Sequence, residues 1–483
     1  MSRINVTHGG AQNYPWRRIA PGTYTQDYDS FLTMQHMWNK LDASGRRLLQ
    51  STSYVRIQTE IPDLELEQLL RNAWVTMRYE NPGLALELEE YYKVYKIPYP
   101  EEVDEWLSGT FHTFPTMTAE EAQKQHLLPE SNPHLYWLPQ NKELLLVGQH
   151  CYFDARTMWV FWGKLLDLVV SPRDVHFGDE WKRLPLARDD LIGMAQYPTM
   201  DGYAKAQTLV RKALHAEAGK QFIALPPLNI KTSPDGKNSP SGADRNGLLR
   251  YSITVPQTEA LVRACKQAGV SVTAAYYTAL SMSCRKIQAE HGTPGDLALS
   301  FHNFDARSWF AKEVDIDSLT LGTDLHGVLP FCLDLSSGSF ENVAGAANDN
   351  FKTLRDTFAK DYLGLDAINH LYKSFFVPGM PISTFPNFSS FGIAERFLKS
   401  SFGDPTRHSI TVEDTYTVNH SMLEGMSCVT IWTWQGRFHV AVTYNEAYHT
   451  EEMFQKLMRD SCDTMLQGLG ISLNDENGEA AGL

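Results

Sequence analysis

The chain contains one His-x-x-x-Asp spacing, in Gln149-His150-Cys151-Tyr152-Phe153-Asp154, and residue types suited to proton chemistry come together there. An imidazole with an ordinary pKa near ~6.5 can take a proton from a hydroxyl close to neutral pH. With 16 histidines in the chain a match of this kind is expected by chance, so its context must supply the weight. The apolar run Leu144-Leu145-Leu146-Val147 precedes it, and a strongly apolar helical pattern over 156–170 follows. A buried strand therefore delivers His150 to its carboxyl end, where α/β sheets place their ligands. A plainer reading stands beside this one. Asp154 sits where an N-cap for the following helix belongs, and His150 could be a hydrogen-bonded strand-end histidine. Spacing alone does not choose between them.

Other chemistries leave no mark. Cys151, Cys265, Cys284, Cys332, Cys428 and Cys462 stand singly, without a C-x-x-C pair or zinc-finger spacing, which argues against a zinc ribbon and a disulfide framework. The chain lacks G-x-S-x-G, G-x-x-x-x-G-K-[ST], G-x-G-x-x-G and H-E-x-x-H, which weakens hydrolase, nucleotide and zinc-protease readings. The histidines show no tight ligand spacing, so no metal is expected.

Charge narrows the partners. The 43 Lys+Arg against 57 Asp+Glu leave a formal net charge of −14 over 483 residues. Nucleic acid and anionic membranes both attract basic surfaces, so neither is expected as a partner. An anionic small molecule needs only a local basic patch and stays open. Hydrophobic residues at 43% and charged residues at 21% are ordinary globular usage. No apolar run reaches the ~18 residues of a spanning helix, and no apolar leader opens the chain, so a cytoplasmic protein is expected.

The elements that must position His150 can be read in outline. A helix is expected over 30–49 with Phe31, Met34, Met37, Trp38 and Leu41 on one face, then an alternating strand over 53–61. Asp63 reads as the N-cap of a helix to about residue 79. The short apolar strand 143–148 and the helix 156–170 flank the motif, and a polar helix spans about 202–221. The Pro-, Gly- and Ser-rich stretch 226–242 has linker composition. Beyond it come a strand at 248–255, helices to Gly269 and over 272–290, and strands at 296–304 and 327–335. Helical stretches over 341–360 and 364–375 lead to a β-rich end, with a hairpin across Gln435-Gly436 and a closing helix over 450–468. Strands and helices mix in both halves. The expected organisation is an N-terminal lobe over 1–222, a crossover linker over 223–247 and a C-terminal lobe over 248–483.

In this order of segments the chain resembles the His-x-x-x-Asp acyltransferase superfamily, which includes chloramphenicol acetyltransferase, plant BAHD enzymes and peptide-synthetase condensation domains. The resemblance runs over most of the chain: the motif between strand and helix, the polar linker, Ser300-Phe-His-Asn-Phe-Asp-Ala-Arg307, Gly327-Val-Leu-Pro-Phe-Cys-Leu-Asp-Leu335, and the closing Thr433–Tyr444 hairpin with its helix. Ser383-Thr-Phe-Pro-Asn-Phe-Ser389-Ser390-Phe-Gly392-Ile-Ala-Glu395-Arg-Phe-Leu398 looks most like fungal trichothecene 15-O-acetyltransferases. There are departures: Gln149 stands where the motif often has His, Ala155 where glycine is usual, and the D-F-G-W-G motif of plant members is absent.

The resemblance implies an α/β fold of two similar-sized lobes with mixed sheets flanked by helices and an active-site tunnel between them. It implies a monomer that joins an acyl group from acetyl-CoA, a cosubstrate, to a hydroxyl of a small secondary metabolite such as a trichothecene-like sesquiterpenoid. His150 would be the general base, and Asp154 would face away from substrate and pair with Arg307. Thr384, Ser389 and Ser390 are candidates to steady the oxyanion or acyl group, and Tyr152 and Phe153 are candidate pocket residues. The polyanionic cosubstrate would require local cations, for which Lys205, Arg211, Lys212, Lys220, Lys231 and Lys237 are candidates. An enzyme taking its acyl group from a carrier protein, and a non-catalytic binding relative, are the alternatives.

Overall fold

A computed structural model describes residues 12–39, 50–124, 132–194, 197–214, 220–226, 246–310, 321–360, 368–371, 383–404, 406, 408–420 and 424–472. The second half of the helix expected over 30–49, the linker stretch 227–245 with Lys231 and Lys237, and most of 364–375 lie outside the described residues.

Two six-stranded sheets carry the fold. The first runs, edge to edge, through Ser401–Gly403, Ser409–His420, Gln50–Gln58, Glu143–Gln149, His134–Leu138 and Phe111–Thr113. Its strand Glu143–Gln149 is buried along its whole length, as the unbroken apolar run demands. The helices Asp63–Glu80 and Ala155–Val170 pack together beside it through Trp74 and Phe161. The second sheet is ordered His326–Asp334, Leu297–Asp305, Asn387–Ile393, Ser427–Trp434, Arg437–Asn445 and Asn246–Ser252. Its core is built with the helices Val272–His291 and Glu451–Gly468. Arg17–Ala20, Thr23–Asp27, Tyr92–Lys96 and Glu87–Leu88 form a third, four-stranded sheet among the described residues.

Local chemistry explains several boundaries. The hairpin turns at Gln435 (φ 49°) and Gly436 (φ 72°), both left-handed, which matches the twist of the flanking strands. Thr254 caps the helix Val255–Ala268 in a reciprocal box with Gln257, and Gly269 closes it at φ 69°. Asp63 is the first helical residue rather than the cap, because Pro62 takes the cap position. No described helix is long and apolar enough to cross a membrane.

The chain does not divide into lobes as simply as its linker suggests. Ser401–Gly403 and Ser409–His420 leave the second half and hydrogen-bond into the first sheet, where Thr417 faces Ser53. The span 248–483 thus supplies two strands of the other lobe's sheet. A second tie lies near the motif. The Leu321 amide donates to Asn81 Oδ1 at 3.1 Å, and Gly322, at φ 105°, lies so close to Gly83 that an added Cβ would come within 2.4 Å of the Gly83 Cα. Only glycine fits this crossing.

Candidate active site

His150 opens a short 3₁₀ turn, His150–Tyr152, at the end of the strand Glu143–Gln149. Its Nδ1 lies 2.8 Å from Oδ2 of Asp324, a residue 174 positions away. The same carboxylate meets Nδ1 of His326 through Oδ1 at 2.5 Å, the His326 backbone amide at 3.1 Å and Gln35 Nε2 at 2.5 Å. Burial alone would raise the Asp324 pKa, yet the imidazoles of His326 and His150 hold it well below the ordinary carboxylate range. Burial likewise opposes protonation of His150, but the Asp324 charge outweighs it and raises the His150 pKa above the usual imidazole value. An ionised carboxylate on Nδ1 keeps the proton there and leaves Nε2 as the basic atom.

Asp154 does two jobs at once. Its Oδ1 caps the helix Ala155–Val170 by accepting from the Thr157 amide at 2.9 Å. Arg307 Nη2 lies 2.8 Å from Asp154 Oδ2, and Nη1 lies 3.3 Å from Oδ1. The fork comes from the turn Ala306–Trp309, which follows the second sheet's strand Leu297–Asp305. Asp154 Oδ2 also accepts from the Leu325 amide at 3.0 Å, and the Asp324 amide donates to the Cys151 carbonyl at 3.1 Å. These bonds clamp the segment bearing Asp324 onto the turn bearing His150. The N-cap reading and the ion-pair reading of Asp154 are therefore not rivals.

His150 and His326 both line a cavity of about 140 Å³ at the seam of the two large sheets. Ser51, Thr417 and Asn419 reach it from the first sheet, and Asn303, Ser389 and Ser390 from the second. Ser389 Oγ accepts from Asn303 Nδ2 at 2.8 Å, which leaves its own hydroxyl hydrogen free to donate, whereas Ser390 Oγ shares a 2.8 Å bond with Thr273 Oγ1. A separate cavity of about 560 Å³ lies farther along the seam around Arg250, Asp414 and Tyr416.

Several expected residues sit elsewhere. Tyr152 and Phe153 are core residues, 1% and 0% exposed. The 3₁₀ turn sends them away from the cavity, with the Tyr152 hydroxyl on the Leu86 carbonyl at 2.7 Å and Phe153 against Gly148. Thr384 packs beside Gly425 and is not among the residues lining the cavity. Among the expected cations, Lys205 pairs with Asp201 and Lys220 with Asp334, and none of those described lines the cavity. Among the described residues the arginines that do are Arg156, paired with Asp305, and Arg307, held by both Asp154 and Asp305.

Asp324, His326 and Gln35 had no sequence signal strong enough to single them out. The available clue was Asp324-Leu-His326 at the mouth of a strand whose neighbour leads into Arg307. The fold also gathers what spacing did not: ligand-capable atoms of His150, Asp324 and His326 lie within 4.8 Å of one another. Their mutual hydrogen bonds account for that closeness.

No protein-family model matches the chain. It is 21% identical over 476 residues to the O-acetyltransferase pigM of Monascus ruber, covering 95% of this chain and 88% of that protein. It is 24% identical over 436 residues to a protein of Epichloe uncinata named as loline biosynthesis cluster 1 transcription factor lolU1, covering 83% and 86%. Among solved structures it is similar to the trichothecene 15-O-acetyltransferase of Fusarium sporotrichioides, with a TM-score of 0.74 at 16% identity over 94% of this chain and 98% of that one. The fold is that of the two-lobed, condensation-like acyltransferases.

Proposed function

We propose that this condensation-like acyltransferase carries an acetyl group from acetyl-CoA to a hydroxyl of a small secondary metabolite, with His150 as the general base. The observation that carries the reading is the His150 ring itself: its Nδ1 is held 2.8 Å from a buried carboxylate while the ring lines a cavity between two sheets. The acceptor hydroxyl donates to His150 Nε2, and as that proton leaves, the oxygen attacks the thioester carbonyl. The resulting oxyanion needs a donor, and Ser389 is the better candidate of the two serines, because Asn303 donates to it and leaves its hydrogen available, whereas Ser390 shares a hydrogen bond with Thr273. Collapse of the intermediate expels the thiolate, which takes the proton back from His150, giving ester and free CoA thiol. Asp324 keeps the ring in the tautomer this sequence needs, and the Asp154–Arg307 pair holds Asp324 in place through Leu325. A trichothecene-like sesquiterpenoid is the acceptor that the Fusarium structure suggests.

The transcription-factor name of one relative does not alter this reading, since a chain of formal net charge −14 is poorly matched to a phosphate backbone. The test is thiol release from acetyl-CoA with a panel of hydroxylated terpenoids. Thiol release that depends on the alcohol supports acyl transfer. No release with any alcohol, together with no CoA binding by calorimetry, would replace it with a non-catalytic binding protein.

A further inference from the structure

His326 is a second imidazole in the same cavity, and the chemistry above leaves it without a task. Its Nδ1 is committed to Asp324 Oδ1 at 2.5 Å, as that of His150 is to Oδ2 at 2.8 Å. A neutral ring with its proton on Nδ1 keeps a bare acceptor at Nε2. Among the described residues neither Nε2 has a hydrogen-bond partner. Both rings line one cavity, with centroids 4.9 Å apart and planes tilted by 41°.

The second ring is held as firmly as the first. Phe31 meets it edge-on at 4.9 Å, and Arg188 Nη1 donates to the His326 carbonyl at 2.9 Å while its guanidinium lies 3.9 Å from the Phe31 ring centroid. The site thus presents two fixed acceptors, of which removing one proton from one hydroxyl uses only the first. A ligand that places a methylene against His326 strips water from Nε2 and returns nothing, and a site built to bond a hydroxyl rejects an analogue lacking it.

We infer that the acceptor is a vicinal or 1,3-diol, with the reacting hydroxyl on His150 Nε2 and the second hydroxyl donating to His326 Nε2. Asn303 and Asn419, which line the same cavity, suit such a diol. This rests on acyl transfer through His150 and adds the class of alcohol.

The experiment compares cyclohexanol with cis-1,2-cyclohexanediol as acceptors for acetyl-CoA, reading thiol release. The wild type should favour the diol by about tenfold or more in kcat/KM, and His326→Phe should reduce the ratio to about two, the advantage of merely having two hydroxyls. A wild-type ratio of about two or less overturns the inference, as does a larger ratio that survives His326→Phe. A His326→Phe enzyme that changes only the KM for acetyl-CoA places the ring on the donor side and overturns it too. The wild-type ratio requires no variant and decides the matter where His326→Phe does not fold. Equal turnover of both alcohols defeats the diol inference alone. Absence of thiol release with these alcohols and with the terpenoid panel defeats the acyl-transfer reading beneath it.

Discussion

Asp324→Asn removes one charge and almost no volume, and its effect can be worked out from the donors around the carboxylate. Oδ1 accepts from the His326 amide at 3.1 Å and from His326 Nδ1, while Oδ2 accepts from Gln35 Nε2 and His150 Nδ1. A backbone N–H cannot reverse, so the asparagine oxygen must take the Oδ1 position. Its NH₂ then falls at Oδ2. Gln35 can adapt by turning its amide, whose buried Oε1 has no partner among the described residues. His150 can adapt only by baring Nδ1 and carrying its proton on Nε2, the atom that must be empty to act as base. A wrong-tautomer substitution costs about 10⁴-fold in kcat where a carboxylate orients a catalytic histidine, and general-base catalysis as a whole supplies about 10²–10⁴-fold. We therefore expect kcat to fall by about 10²–10⁴-fold in acetyl-CoA turnover, with the melting temperature little changed. Loss of the carboxylate charge should also move the acid limb of the residual kcat/KM profile to lower pH, because that charge is what raises the His150 pKa. A variant with a third or more of wild-type kcat and an unmoved limb would refute the assignment of Asp324 as the positioning residue.

The remaining predictions concern the frame around the ring. Asp154→Ala removes one of the two carboxylates that hold buried Arg307, leaving Asp305 at 3.0 Å, and uncaps a helix, and should cost about 2–4 kcal/mol in urea unfolding with activity lost in parallel; a loss below about 1 kcal/mol contradicts the clamp. Gly322→Ala drives a methyl into the Gly83 backbone and should lower both melting temperature and kcat, because the loop it displaces carries Asp324; an unchanged kcat would show that this loop does not set the ring. Stability should follow the two shifted groups. The lowered Asp324 value contributes above the ordinary carboxylate pKa of ~3.9 and is lost as pH falls through the folded value, while the raised His150 value contributes below ~6.5 and is lost as pH rises through its folded value. Wild-type unfolding free energy should thus decline from about pH 6.5 upward relative to Asp324→Asn, and parallel curves for the two proteins would count against the pair.

Local features were legible in the sequence, and long-range ones were not. The strand ending at His150, the N-cap position of Asp154 and the hairpin at Gln435-Gly436 each depend on a few neighbouring residues, and the structure has all three. The helix expected over 156–170 is Ala155–Val170. Arg307 beside Asp154 was reachable only through resemblance, since 153 positions separate them. Asp324 and His326 were missed because their approach to His150 depends on the register that sets Asp305 opposite His326 and on the Gly83–Gly322 crossing. The return of Ser401–Gly403 and Ser409–His420 to the first sheet was equally invisible, because an alternating strand does not say which edge it will join. Tyr152 and Phe153 were placed in the pocket by adjacency to His150, but successive residues in a tight turn face different ways, and these two face the core.

The central claim is that His150 takes the proton of an alcohol that becomes an ester. Mass spectrometry of the products, run beside thiol titration, tests it most directly on the wild type and on His150→Ala. The wild type should give one acetyl ester for each thiol released, and correctly folded His150→Ala should give neither above about 1% of that rate. Ester formed by His150→Ala at the wild-type rate would contradict the account.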